Sequence, residues 1–439
     1  MRKAFQCMAF ALAFITLIVV CSAFPIRSGL LPDGSENTYS NSFYHDFLDD
    51  DDHDTSSEPT VDFNYTANQF NAVQRQDYYN YGCLTDTQKS MYNTIFNAMV
   101  TMQSGNIYLG NGTKRDAALA LYAVKYDNPQ LFWLGYEYGM GTDDENNVFI
   151  RLDSDDVEYG YIYTQAERIS MMAELQSAVS SIIKECVSPE MSQYEKELAL
   201  HDWICNNVEY DHKSGENAIN GNDSDADHEA WTAYGALINK KAVCEGYSKA
   251  FQLLLYNVGI NSNLICGYTD DRSAHMWNSV NIDGKWYHVD VLWDDVEEAE
   301  YSPSHAFFNV TTAFINKTHT IYPDSSAVSK DESIFVAEYN ITVPSCTSND
   351  ENFYVKENTL ISSDNEFQTI VISAFEKAAA AGSDCVEFFY DYKDINNNIV
   401  SFDIKHNRIF SNVKHLYDGI KGLKYEVLSY GSFVIKISK

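Results

Sequence analysis

Apolar side chains recur along this chain with two different periods. After Thr85, Met91, Ile95, Ala98, Met99 and Met102 repeat at helical intervals. Thr85 and Gln88 have the spacing of a capping box, so the pattern predicts a helix that ends near Gly105. Ser192 and Glu195 form a second such box. The helix they open runs to about Asn207 and is largely buried, because Leu200 and Ile204 make one stripe and Leu198, Cys205 and Val208 another. From Cys244 a third helix carries Tyr247, Phe251, Leu254, Leu255 and Val258 to Gly259, which sits where a left-handed residue is wanted. The period changes to two in AHMWNSVNIDGKWYHVDVLWDD, residues 274–295. There, two alternating runs flank Asp283-Gly284, the dipeptide of a two-residue hairpin turn. Further on, a helix near 367–381 and strands such as CVEFFYDY and SFVIKISK predict a small α+β unit. No repeat occurs at solenoid spacing.

The hairpin turn sets a register. If Ile282 pairs with Lys285, then Ser279 meets His288, Trp277 meets Asp290 and His275 meets Leu292. One face then holds His275, Trp277, Ser279, Trp286, His288 and Asp290, and the other is apolar: Met276, Val280, Ile282, Tyr287, Val289 and Val291. Asp290 is the diagonal neighbour of His275, at roughly 7 to 8 Å between backbones, where a carboxylate can hold one imidazole nitrogen. His288 is a rival base on the same face. Cys244 stands at or just before the first turn of its helix, where partnerless N–H groups and the positive dipole end favour a thiolate and can hold an oxyanion. Taken alone it could equally be a buried side chain or half of a disulfide.

Composition narrows the class. The chain has 439 residues, enough for two or three domains, and a net charge of -33 that argues against nucleic acid and anionic membranes as partners. Residues 1–23 read as a signal peptide: Arg2 and Lys3, an apolar run through Val20, then small residues. Residues 24–60, with LDDDDHD, read as an acidic disordered linker. A Tyr-rich, mostly helical N-terminal accessory domain is expected at 61–185, a catalytic domain at 186–325 and a C-terminal α+β accessory domain at 326–439. The protein is thus expected to be secreted, with no membrane contact beyond surface attachment. Six glycosylation sequons begin at Asn64, Asn111, Asn222, Asn309, Asn316 and Asn340. Beyond the leader there are seven cysteines, an odd number that leaves at least one thiol unpaired in an oxidising compartment.

The order of these pieces resembles the transglutaminase-like superfamily, papain-like acyl-transfer enzymes whose triad runs Cys, His, Asp. The resemblance rests on AYGALINKKAVCEGYSKAF, the GI and CGY after it, HMWN and DGKWYHVDVLWDD, with LHDWICNNVEYD upstream and FFNV downstream. It covers about residues 195–310 and looks closest to a secreted, mostly bacterial, multidomain branch. What it implies is an α+β fold with a nucleophile helix packed on an antiparallel sheet, Cys244 as nucleophile, His275 as base and Asp290 as orienting acid. It also implies a thioester mechanism, with hydrolysis of peptide or glutamine-type amides favoured over cross-linking because water is the default acceptor. A second oxyanion donor is expected upstream, at Trp231 or Tyr234. The competing reading from another class is a noncatalytic surface-binding module that keeps the fold.

No cofactor or metal is expected. DSDADHE at 223–229 lacks the glycine and the final glutamate of a calcium loop, as does the stretch around Asp394, Asn396 and Asn398. Cys205 and Cys266 lack the spacing of a zinc site.

Overall fold

The computed structural model describes residues 72–135, 138–152, 161–219, 225–296, 303–323, 340–390, 409–428 and 430–438. The predicted leader, the acidic stretch and the Asp394 segment lie outside them. Among the described residues no helix is long and apolar enough to cross a membrane.

Both capping boxes form. Thr85 caps α1 (Asp86–Val100) and Ser192 caps α4 (Gln193–Asn207), with α2 (Lys114–Asp127) and α3 (Gln165–Cys186) between them. Thr113 and Thr164 add capping boxes of the same kind to α2 and α3. The N-terminal region also holds a three-stranded antiparallel sheet: β1 (Asn106–Gly110), β2 (Gly139–Thr142) and β3 (Val148–Arg151), with β3 central. Strands this short carry too little alternation to show in sequence; packing against α1 and α2 defines them. The N-terminal helices share one continuous core with the central region of the chain, from Met91 and Leu121 through Leu200 to Phe251 and Val289. Asn80 Nδ2 crosses it to reach Asn263 Oδ1 at 2.7 Å.

The centre of that core is α5 (Cys244–Asn257), whose Tyr247, Phe251, Leu254 and Leu255 are fully buried. Each of these contributes about 1.5 to 3 kcal/mol by leaving water. The helix ends as expected, with Gly259 at φ 82°. It packs on a four-stranded antiparallel sheet of β4 (Ser262–Thr269), β5 (Ala274–Ile282), β6 (Lys285–Val289) and β7 (His319–Ile321), in the order β6-β5-β4-β7. A single helical turn, α6 (Val291–Asp294), comes directly after β6. This is an α+β fold with a helix against an antiparallel sheet, as the sequence predicts.

The C-terminal region has its own core. A sheet of β8 (Leu360–Ile361), β9 (Cys385–Tyr390), β10 (Gly422–Val427) and β11 (Ser432–Ser438) runs β8-β9-β11-β10. Against it lies α7 (Asp364–Ala380), burying Phe367, Val371, Ala374 and Phe375 at helical spacing. Segment 340–353 instead packs back on the first core through Ile341.

One buried acid in α4 makes stability depend on pH. Glu197 is completely buried; its Oε2 accepts from Asn309 Nδ2 at 2.7 Å, and Oε1 has no partner among the described residues. Burial raises its pKa from 4.5 to about 8, against the smaller lowering by the Asn309 bond and His201. The native state keeps this proton where the unfolded chain has already lost it, so stability declines as pH rises from about 4.5 to about 8. Glu197→Gln preserves the Asn309 bond and is expected to remove this decline, which for one group is at most about 1.4 kcal/mol per pH unit. Urea unfolding at a series of pH values checks it; a variant with the wild-type slope would contradict the assignment.

Candidate active site

The predicted hairpin forms with the expected turn: Asp283 and Gly284 have φ of 49° and 84°, both positive as a type I′ turn requires. The register is also as expected, with Ile282 opposite Lys285 and Ser279 opposite His288. It stops earlier than the alternation suggests. β6 ends at Val289, and the expected Trp277–Asp290 and His275–Leu292 pairs do not form. The chain turns there because Asp290 caps α6, Oδ1 accepting from Trp293 N at 3.1 Å, while its own N–H bonds Phe307 O.

That turn brings the acid to the base. His275 Nε2 lies 2.6 Å from Asp290 Oδ2, and the two side chains are 4% and 1% exposed. With Nε2 held, Nδ1 is the nitrogen left to exchange a proton. Burial alone would raise the Asp290 pKa, but the facing imidazoles, His275 first, hold it well below the usual carboxylate range. The His275 ring stacks on Trp277 at 5.9 Å between centroids, with Trp293 at 5.9 Å on another side.

Cys244 is the first residue of α5, as predicted, and is 1% exposed. Two contacts fix the helix start beside the base. The Ser248 hydroxyl bridges Cys244 O at 2.8 Å and Met276 O at 3.0 Å, and Asn278 Nδ2 donates to Ser248 O at 3.0 Å. The first turn of α5 is therefore bonded to the residue next to His275. Gly246 is required by close approach: a Cβ there would come within 2.5 Å of Ala230 O and 2.7 Å of Ala242 Cβ.

The odd cysteine count requires at least one unpaired thiol, and the structure has several. Six of the seven cysteines beyond the leader are free: Cys83, Cys186, Cys205, Cys266, Cys346 and Cys385. Cys244 is not among them.

His288, the rival base, is committed elsewhere. It is fully buried, its Nδ1 accepts from Trp277 Nε1 at 3.2 Å and its Nε2 lies 3.1 Å from Thr312 Oγ1. Burial, with His319 adding, lowers its pKa to about 3. Of the two suggested oxyanion donors, Tyr234 is spent, its hydroxyl donating to Glu174 at 2.7 Å, whereas Trp231 shares a buried cluster with Cys244. The sequons at Asn309 and Asn340 are closed to modification in the fold, since both side chains are buried and both amides are bonded.

Sequence reasoning missed His319. Its Nε2 lies 3.1 Å from the same Asp290 Oδ2, and its Nδ1 lies 2.8 Å from the Thr318 hydroxyl. Burial lowers its pKa, with Asp290 opposing, so a neutral ring can donate to Asp290 and accept from Thr318. Asp290 is thereby held by two imidazoles and one backbone N–H. The only signal in sequence was a three-residue strand whose pairing with Thr269 is settled by tertiary structure.

The candidate site thus joins a helix-start cysteine, an antiparallel hairpin and a buried His–Asp pair. Residues 180–291 match the model of the transglutaminase-like superfamily, and the chain carries a transglutaminase-like domain. It is similar to the kyphoscoliosis peptidase of Mus musculus, 21% identical over 143 residues, 30% of this chain and 20% of that protein. The Homo sapiens protein of the same name is 25% identical over 139 residues, 29% of this chain and 19% of its own length. This chain therefore spans about a fifth of the curated relatives it matches. The crystal structure of a TGase aligns with a TM-score of 0.27 at 14% identity, covering 38% of this chain and 46% of that one.

Proposed function

We propose that this protein is a secreted cysteine enzyme that cleaves or transfers acyl groups from peptide or glutamine-type amides, with hydrolysis favoured. The observation that carries the reading is the buried His275–Asp290 pair at 2.6 Å, with His275 on the strand to which the first turn of α5 is bonded. The Cys244 thiol gives its proton to His275 Nδ1 and its sulfur attacks the amide carbon. The N–H groups of the first turn, which have no helical partners, receive the oxyanion. The tetrahedral intermediate collapses, the C–N bond breaks, and His275 returns the proton to the leaving amine. Water then attacks the thioester, His275 again taking a proton, and a carboxylate leaves as the thiol is restored. The likeness to proteins named as peptidases supports amide substrates.

Two acceptors separate by experiment. Reduced protein is incubated with casein and a labelled primary amine, and new α-amino termini and amine incorporation are both measured. New termini without incorporation are expected. Incorporation that exceeds hydrolysis and vanishes in Cys244→Ala would instead identify a cross-linking transglutaminase. Absence of both products even after reduction would instead identify a noncatalytic binding module.

A further inference from the structure

We infer that His201, Asp202 and His305 form a site for a divalent transition metal of the zinc class, separate from the cysteine site. His201 and Asp202 are neighbours on α4, and His305 comes after α6. His201 Nδ1 and His305 Nε2 each lie 3.0 Å from one atom, Asp202 Oδ1, and the three ligand atoms all lie within 4.8 Å of one another. Convergence of two imidazole nitrogens and one carboxylate oxygen on a single small volume suits zinc.

The opposite face of each ring supplies the second observation. His305 Nδ1 lies 2.6 Å from Glu387 Oε2, and His201 Nε2 lies 3.3 Å from Asp294 Oδ2. Asp294 is fully buried, and this oxygen makes no aligned hydrogen bond among the described residues. A carboxylate behind each imidazole is the arrangement that fixes the tautomer and orientation of metal-bound histidines. A dication at the centre leaves both rings neutral, each with its single N–H directed at its own carboxylate, and so offsets two of the three negative charges that the buried or half-buried acids can carry. The Asp202 side chain is 37% exposed, so a fourth position opens to water. Glu387 lies on β9 of the C-terminal sheet and also accepts from Tyr354 and Ser432 hydroxyls at 2.6 and 2.7 Å. The metal would thus tie α4 to the C-terminal region.

The cluster of His275, Asp290 and His319 has a similar composition but lacks this backing, since the second nitrogen of His319 faces a threonine hydroxyl. It serves as the internal comparison. Full-length protein is stripped with a chelator and titrated with zinc by calorimetry, and with cobalt(II) by visible absorption. One equivalent of zinc is expected per chain, with a tetrahedral cobalt spectrum, and Asp290→Asn should bind as tightly as wild type. Asp202→Asn and His305→Ala should lose binding. In Glu387→Gln the amide donates to His305 Nδ1 and moves the proton to the ligating Nε2, so affinity should drop about 10- to 100-fold. No stoichiometric zinc in the wild type overturns the site. So does unchanged affinity in Glu387→Gln, which keeps the fold even if the ligand variants do not, or loss of zinc in Asp290→Asn alone.

Discussion

Cys244→Ala is expected to reduce amide cleavage by roughly ten-thousand-fold or more, because the thioester route disappears and only binding and the oxyanion site remain. Both proteins are assayed with a reductant, which keeps the sulfur a thiol. Iodoacetamide labelling, mapped by peptide mass spectrometry, isolates the sulfur itself. Burial pushes the Cys205, Cys266 and Cys346 thiols up to about 12, so these stay unmodified near neutral pH. Cys83 is free and exposed and serves as the reference for labelling in the same tube. After reduction, Cys244 should label faster than Cys83 despite being 1% exposed, and His275→Ala should abolish that advantage. Equal or slower labelling of Cys244 would remove the nucleophile assignment.

The residues legible in sequence are those governed by local rules. Thr85 and Ser192 cap their helices through bonds three residues long, Asp283-Gly284 sets a turn through positive φ, and Cys244 begins a helix whose apolar period is unbroken to Val258. Period-two counting from the turn also places His275 and Asp290 near one another. It fails at one step: Asp290 does not continue the strand, because its carboxylate caps α6 and its N–H pairs with Phe307, 17 residues later. The corner shortens the His–Asp distance from a diagonal cross-strand reach to a direct hydrogen bond. His319 and the His305–Glu387 pair are invisible in sequence for a related reason, since each joins segments whose proximity depends on the whole sheet order. Parity requires one free thiol but cannot show that six are free, because it counts thiols without regard to which are within reach of one another.

Asp290→Asn tests the corner most directly. Asparagine retains the cap to Trp293 N through its oxygen, so α6 should still start at Val291. At the Oδ2 position, however, an amide donor faces both His275 Nε2 and His319 Nε2. His275 must then accept at Nε2 and carry its proton on Nδ1, the nitrogen needed to deprotonate the thiol. The expected result is a fall in kcat of about ten-thousand-fold with KM little changed, the behaviour of a base in the wrong tautomer. His319→Gln leaves the His275–Asp290 bond in place and should cost far less. The pH profile rests on the same pair. Asp290 is held below its ordinary value of 3.8, so its contribution to stability is present above that pH and is lost only as pH falls through the lower native value. Wild-type stability should therefore show no transition from Asp290 between pH 5 and 8, while Asp290→Asn should lose stability relative to wild type throughout that range. A variant with kcat within about tenfold of wild type would show that Asp290 does not set the tautomer of His275.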